Sequence, residues 1–257
     1  MRISTVDQPM IFLSDAHLGG FSDEINQRIE SELIQLLNYC QRNKIGIAIL
    51  GDLFDYWMEY PDVIPAIGER VLERFSSFNK DMGPTLFITG NHDNWTRDYF
   101  ENLGFELKHE HMMLQVNGNT VMTLHGDGLA DELLHLPRPR LHRLLRSDKF
   151  ISLYQTLFPP RVGINIMKYF SRFTRSLEWN TEKEKKLDEW ASRTLASTEI
   201  DFILCGHDHI PRQKEFDFGT YINLGTFYQH RTMAFYNNSS ISLVSWVPQL
   251  QSLQPFE

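Results

Sequence analysis

Cysteine is scarce: Cys40 and Cys205 are the only two in 257 residues. Two thiols make no disulfide framework, which points to a reducing compartment. Long apolar runs are missing as well. Hydrophobic residues are 42% of the chain, and no stretch reaches the roughly 18 uninterrupted apolar residues of a membrane span. The opening MRISTVDQPM lacks a positive start followed by an apolar core, so a secretory signal is not expected and a cytoplasmic location is. Basic residues are the minority, 25 against 33 acidic, for a net charge of −8. That balance argues against a general nucleic-acid binder. Internal repeats and low-complexity linkers are absent too, so residues 1–257 read as a single α/β domain.

The acidic total conceals one basic stretch. Between Leu133 and Leu177 stand Arg138, Arg140, Arg143, Arg146, Lys149, Arg161, Lys168, Arg172 and Arg175, against the single acid Asp148. The same stretch is rich in Leu, Phe, Ile and Tyr, and it marks a helical insert over 129–178. Pro137, Pro139, Pro159 and Pro160 are expected to break it into helices of two or three turns at most.

Elsewhere, short apolar runs recur and end on polar, chemistry-bearing residues. MIFL runs into Ser14-Asp15-Ala16-His17, and IGIAIL into Gly51-Asp52. TLFI leads to Gly90-Asn91-His92-Asp93, VMTL to His125-Gly126-Asp127, and DFIL to Gly206-His207-Asp208-His209. Such runs read as strands buried on both faces. Helices are expected over Asp23–Arg42, Pro65–Lys80 and Glu182–Ala196, with a hairpin over 112–125 around Asn117-Gly118. Short strands follow at 212–218, 220–224, 231–236 and 240–246, and the tail after Pro248 reads as loose.

In open α/β sheets, functional groups collect at the carboxyl ends of strands. Here five strand ends would deliver Asp15, His17, Asp52, Asn91, His125, His207 and His209, with His92 beside them. Seven mixed oxygen and imidazole ligands suit two divalent metals sharing a bridging carboxylate. A thiolate site is excluded, because neither Cys has a partner at ligand spacing. Read as extended backbone, Asp15-Ala16-His17 points residues i and i+2 to one side. The glycines at 51, 90 and 206 let the backbone come close to the ions. Any one motif could be chance; their joint occurrence in order carries the inference.

Together, SDAH, GDLFD, GNHD, HGD and GHDH resemble the calcineurin-like metallophosphoesterases, over about Met10 to Trp246. The resemblance implies a four-layer sandwich of two β-sheets between helices. It also implies one metal on Asp15, His17, His209 and the bridging Asp52, and another on Asp52, Asn91, His125 and His207. Manganese is the expected pair, with Fe, Zn or Co as alternatives. His92 and Asp93 are the implied catalytic residues, and Asn91 and His92 would also face the substrate. Asp55 and Asp127 would orient ligands. Two such cations about 3.5–4 Å apart would acidify a shared water and neutralise phosphate oxygens.

GDLFDYW, the insert after HGD and YINLG are similar to the UDP-2,3-diacylglucosamine diphosphatase branch of lipid A synthesis. That branch yields UMP and a diacylglucosamine 1-phosphate, with the insert as a lid over the acyl chains. Its well-known proteobacterial members carry Arg where this chain has His92. Arg172 and Arg175 are the expected substrate-phosphate contacts, and a basic, apolar insert also suits the inner-membrane surface. Two rivals stand beside this reading: a metallophosphoesterase for a soluble phosphodiester or phosphomonoester, and an inactive binding scaffold. Among other residues, Tyr56 and Trp57 are as suited to packing as to a pocket wall. His109 and His111 read as surface residues, His135 and His142 as helix-surface residues or phosphate contacts, and His230 and Arg231 as candidates to face substrate.

Overall fold

The computed structural model describes residues 3–6, 8–175, 181–237 and 240–256. Its elements run β1 (Ile3–Val6), β2 (Met10–Leu13), α1 (Asp23–Asn43), β3 (Gly46–Leu50), α2 (Glu69–Met82), β4 (Leu86–Ile88) and α3 (Tyr99–Asn102). There follow β5 (Glu106–Lys108), β6 (His111–Val116), β7 (Asn119–Leu124), α4 (Arg140–Leu145), α5 (Asp148–Leu157), α6 (Pro160–Arg175) and α7 (Thr181–Ser197). The chain ends with β8 (Phe202–Cys205), β9 (Arg212–Phe216), β10 (Gly219–Asn223), β11 (Thr232–Asn237), β12 (Ser240–Val247) and β13 (Ser252–Pro255).

The strands form two mixed sheets, ordered β1-β6-β7-β8-β10-β9 and β13-β12-β11-β2-β3-β4-β5. Period-two side-chain alternation builds the layers. Met10, Phe12, Ala48 and Leu50 point from the second sheet towards Leu114, Val121, Leu204 and Ile222 of the first. Their neighbours Ile11, Leu13, Ile47 and Ile49 face the opposite way, onto Leu33, Leu36 and Phe75 of α1 and α2. On the outside of the first sheet, Met122, Leu124 and Ile203 pack on Leu187, Trp190 and Leu195 of α7. Helix, sheet, sheet, helix: this is the expected four-layer order. No helix among the described residues is long and apolar enough to cross a membrane.

Three expectations fail, at the tail, in the insert and at the start of α2. The tail after Pro248 is not loose: β13 pairs antiparallel with β12, Trp246 facing Leu253. Near the other terminus, β1 pairs parallel with β6. Neither strand has the apolar continuity that marks the central ones, because edge strands are covered on fewer sides. In the insert, α6 has 16 residues, more than three turns. Pro160 opens that helix, at the position where its missing N–H costs nothing. Helix α2 likewise starts at Glu69 rather than Pro65, after Gly68 adopts left-handed backbone.

Candidate metal centre

The carboxyl ends of β2, β3, β4, β7 and β8 meet at one place, and their loops are interlocked by backbone hydrogen bonds. Asp15 N–H donates to the Gly51 carbonyl at 3.1 Å, His17 N–H to Asp52 at 3.0 Å, and Gly206 N–H to His125 at 2.9 Å. Asp15, His17, Asp52, His207 and His209 all have positive φ, between 48° and 73°. Left-handed backbone is costly for residues other than glycine and clusters where function requires it. Asp15 and His17 therefore do not converge through an extended strand, as the sequence pattern suggests. Two left-handed turns aim them.

Gly90 and Gly206 have a sharper purpose than flexibility. A Cβ on Gly90 would overlap Asp52 Oδ1, and one on Gly206 would overlap Asp15 Oδ2. Each glycine makes room for a carboxylate delivered by a different strand.

Around these turns the side chains form two clusters sharing a carboxylate. Asp15 Oδ1 lies 3.1 Å from His209 Nε2 and 3.6 Å from His17 Nε2, and the two Nε2 atoms face each other at 3.2 Å. On the other side, His125 Nε2 lies 3.3 Å from Asp52 Oδ2 and 3.1 Å from Asn91 Oδ1. The His207 ring stands 5.1 Å from that of His125. Asp52 Oδ2 lies between the clusters, 3.9 Å from His17 Nε2.

Tautomers are set from outside the centre. His125 Nδ1 donates to the Leu50 carbonyl at 2.8 Å, which leaves Nε2 directed inward. His17 Nδ1 lies 3.2 Å from Asp55 Oδ1. His92 Nδ1 donates to the Asp55 carbonyl at 2.8 Å and also meets Ser171 Oγ at 2.9 Å. Its Nε2 faces Asp52 Oδ2 at 3.9 Å.

The electrostatics suit cations. Burial opposes charge on His17, but Asp15, Asp55 and Asp52 outweigh it and raise its pKa to about 9. Burial likewise opposes charge on His125, and Asp52, Asp15 and Asp127 raise it to about 10. Against the same burial, His125, His92 and His17 hold Asp52 down at about 2. A pocket that draws protons onto its imidazoles draws metal ions for the same reason. Asp15 Oδ1, buried and facing the Nε2 atoms of His209 and His17, is a ready ligand atom. Asp15, His17 and His209, and Asp15, Asp52 and His125, each bring ligand atoms within 4.8 Å of one another. The residues fit divalent metal ions.

Around this centre the expected roles sort differently. Both Asp93 oxygens accept backbone amides, from Gly90 at 2.7 Å and Leu53 at 2.8 Å. Burial and then Asp52 raise its pKa to about 6. Asp127 meets Arg138 and Arg146 at 3.4 and 3.2 Å. Despite burial, those arginines, with His142 and His125, keep its carboxyl well below the usual range. Arg172 is exposed on α6, one residue past Ser171, and the side chain of Arg175 lies outside the described residues. Arg231 turns away from the site into a two-point pair with Glu32, both bonds 2.7 Å, and His230 meets Thr226.

His142 is not a plain surface residue. Its Nδ1 lies 3.7 Å from Asp127 Oδ2, and its ring stands 6.5 Å from that of His207. Ser171, Arg146 and Tyr228 also reach the site unannounced, the last with its ring 5.9 Å from His17. Membership in the basic window was the only signal for His142, Arg146 and Ser171; for Tyr228 there was none.

A cleft between the insert and the centre is lined by Asn91 and His92 together with Trp57, Trp95, Leu141, Leu145, Met167 and Phe170. It holds about 610 Å³ of empty space, part of it open to solvent. Trp57 thus serves both expected roles, since it also packs on Phe54 and Phe100.

The chain is similar to known proteins. A UDP-2,3-diacylglucosamine hydrolase of Porphyromonas gingivalis is 28% identical over 218 residues, covering 77% of this chain and 82% of its own length. One from Proteus mirabilis is 25% identical over 206 residues, covering 78% and 82%. A solved phosphoesterase from E. coli is 15% identical with a TM-score of 0.46, covering 95% of this chain and 96% of its own. The family model described as calcineurin-like phosphoesterase matches residues 9–211, a span that holds every strand-end residue gathered at this centre. With fold, site and match in agreement, the chain belongs to the calcineurin-like phosphoesterase family and is a metal-dependent phosphoesterase.

Proposed function

We propose that this phosphoesterase hydrolyses the pyrophosphate of UDP-2,3-diacylglucosamine, giving UMP and 2,3-diacylglucosamine 1-phosphate. The observation that carries this reading is the cleft that His92 shares with apolar side chains of the insert. A soluble phosphodiester gives no reason for Leu141, Leu145, Met167 and Phe170 to line the approach to a metal centre. The names of the relatives from P. gingivalis and P. mirabilis support the same substrate.

Asp15, His17, His209 and Asp52 would hold one cation, and Asp52, Asn91, His125 and His207 the other. When bound, the pair supplies Lewis acidity towards phosphate oxygens and an acidified water as nucleophile. The chain's own residues do the rest. The Leu50 carbonyl and Asp55 keep His125 and His17 in the orientation that presents Nε2. His92, held at Nδ1 by the Asp55 carbonyl, presents Nε2 towards the centre. In its imidazolium form it donates a proton to the departing sugar phosphate as the bond between the α-phosphorus and the bridging oxygen breaks. Asp93, with both oxygens on backbone amides, braces the loops rather than moving a proton.

The insert would also dock on a membrane surface. Eight of the twelve exposed large hydrophobics among the described residues lie on it, including Leu133, Leu153, Leu157 and Tyr169. With basic side chains between them, they suit an anionic lipid surface.

The test is direct. Purified protein with Mn²⁺ is offered UDP-2,3-diacylglucosamine and, separately, a chromogenic phosphodiester. UMP release that disappears in His125→Ala supports the reading; turnover of the chromogenic ester alone overturns it.

A further inference from the structure

One insert side chain touches both loops that carry the Asn91 and His125 ligands, without being a ligand itself. Arg146 follows α4, and its side chain is only 9% exposed. Its terminal nitrogens donate to the Gly90 carbonyl at 2.8 Å and the Thr89 carbonyl at 3.2 Å, directly before Asn91. The same guanidinium reaches Asp127, two residues after His125, with Nε at 3.3 Å from Oδ2 and Nη2 at 3.2 Å from each oxygen. A further donor meets the His109 carbonyl at 3.1 Å. The planar fork of arginine can hold several acceptors in fixed directions at once, which a lysine ammonium cannot.

The two loops belong to strands of different sheets, β4 and β7. Their mutual position sets the 3.1 Å approach of Asn91 Oδ1 to His125 Nε2. Next to Arg146, the Leu145 carbonyl accepts from Trp95 Nε1 at 2.7 Å, so the end of α4 is seated on the core at two points. The ligands of the other subsite, Asp15, His17 and His209, stand on loops that Arg146 does not touch.

We propose that Arg146 is a positioning residue that couples the seating of the insert to one cation subsite, that of Asn91, His125 and His207. The proposal rests on the dinuclear reading above. Seating the insert places the guanidinium across both loops and favours the ligand geometry. By reciprocity, a cation held there favours the seated insert by the same free energy. The lid and the metal centre are then one linked system, and the Asp15–His17–His209 subsite stands outside it.

Two measurements test this on the full chain. Mn²⁺ binding is followed by calorimetry and by the paramagnetic resonance signature of a spin-coupled pair. Chymotrypsin cleavage within 129–175, where Leu141, Leu144, Leu153, Leu157 and Tyr169 are exposed, is timed with and without Mn²⁺. Wild-type protein should bind two ions and cleave at least about fivefold more slowly with Mn²⁺. In Arg146→Ala one ion should lose about tenfold or more in affinity, the other less than about twofold, and the Mn²⁺ protection should vanish. Arg146→Lys keeps the charge and should show the same asymmetry to a smaller degree, so it carries the test if the alanine variant fails to fold. Equal weakening of both ions, protection that survives in Arg146→Ala, or protection undiminished in Arg146→Lys, overturns the coupling while leaving the dinuclear site intact. Fewer than two ions on the wild-type protein overturns the dinuclear reading, and the proposal with it.

Discussion

Ser171 Oγ, on the last helix of the insert, donates a 2.8 Å hydrogen bond to Asp55 Oδ2, 116 residues earlier in the chain. The same hydroxyl meets His92 Nδ1, so one lid side chain touches both a ligand-orienting carboxylate and the imidazole expected to serve the leaving group. Ser171→Ala should lower kcat/KM on the proposed substrate by about 10-fold or more, in the range usual for residues that orient ligands. Steady-state UMP release checks it.

His125→Ala removes a buried imidazole from beside Asp52 and Asn91. Activity should fall by more than about a hundredfold, beyond what outer partners of metal ligands cost. Bound Mn²⁺ per chain, measured by elemental analysis, should fall with it.

Gly90→Ala would drive a methyl group into Asp52. The strand end cannot yield without moving Asn91, so overpacking of about 1–3 kcal/mol is expected together with weakened metal binding. Urea unfolding and metal titration on the same variant separate the two effects.

Behind the centre, Arg212 bonds Asp208 at 2.7 Å and Asp188 at 2.8 Å, with its side chain 9% exposed. Asp208 stands between His207 and His209. Arg212→Ala strands a buried carboxylate and should cost about 3–5 kcal/mol in urea unfolding. A loss below about 1 kcal/mol would show that the pair is no stronger than a surface one.

His111 gives the pH prediction. Neither of its ring nitrogens, both buried, has a hydrogen-bond partner among the described residues, and burial lowers its pKa from the usual value. The unfolded chain therefore takes up this proton first. The contribution is complete above the unfolded value of about 6.5 and is lost as pH falls through the folded one. His111→Phe should raise stability by about 1 kcal/mol above neutrality, by removing an unsatisfied polar group. The gain should grow below pH ~6, which thermal melts across pH would show.

Much of this molecule is legible in its sequence because the signals are local. A strand buried on both faces is a short apolar run, and its carboxyl end is the next few residues. Asp15, His17, Asp52, Asn91, His125, His207 and His209 could therefore be collected before any coordinates. The helix over Asp23–Asn43 and the hairpin at Asn117-Gly118 announce themselves by their own periodicity and turn chemistry. What tertiary structure alone decided was relative placement. The left-handed turns at Asp15 and His17, the carboxylates that fill the space over Gly90 and Gly206, and the pairing of β13 with β12 depend on neighbours distant in sequence. So does the basic insert: composition marked it, but only packing divided its polar groups. Arg146 went to the loops of the metal centre, Ser171 to Asp55 and Arg172 to solvent. A residue's type is written in the chain, whereas the partner it meets is fixed by which surfaces fold together.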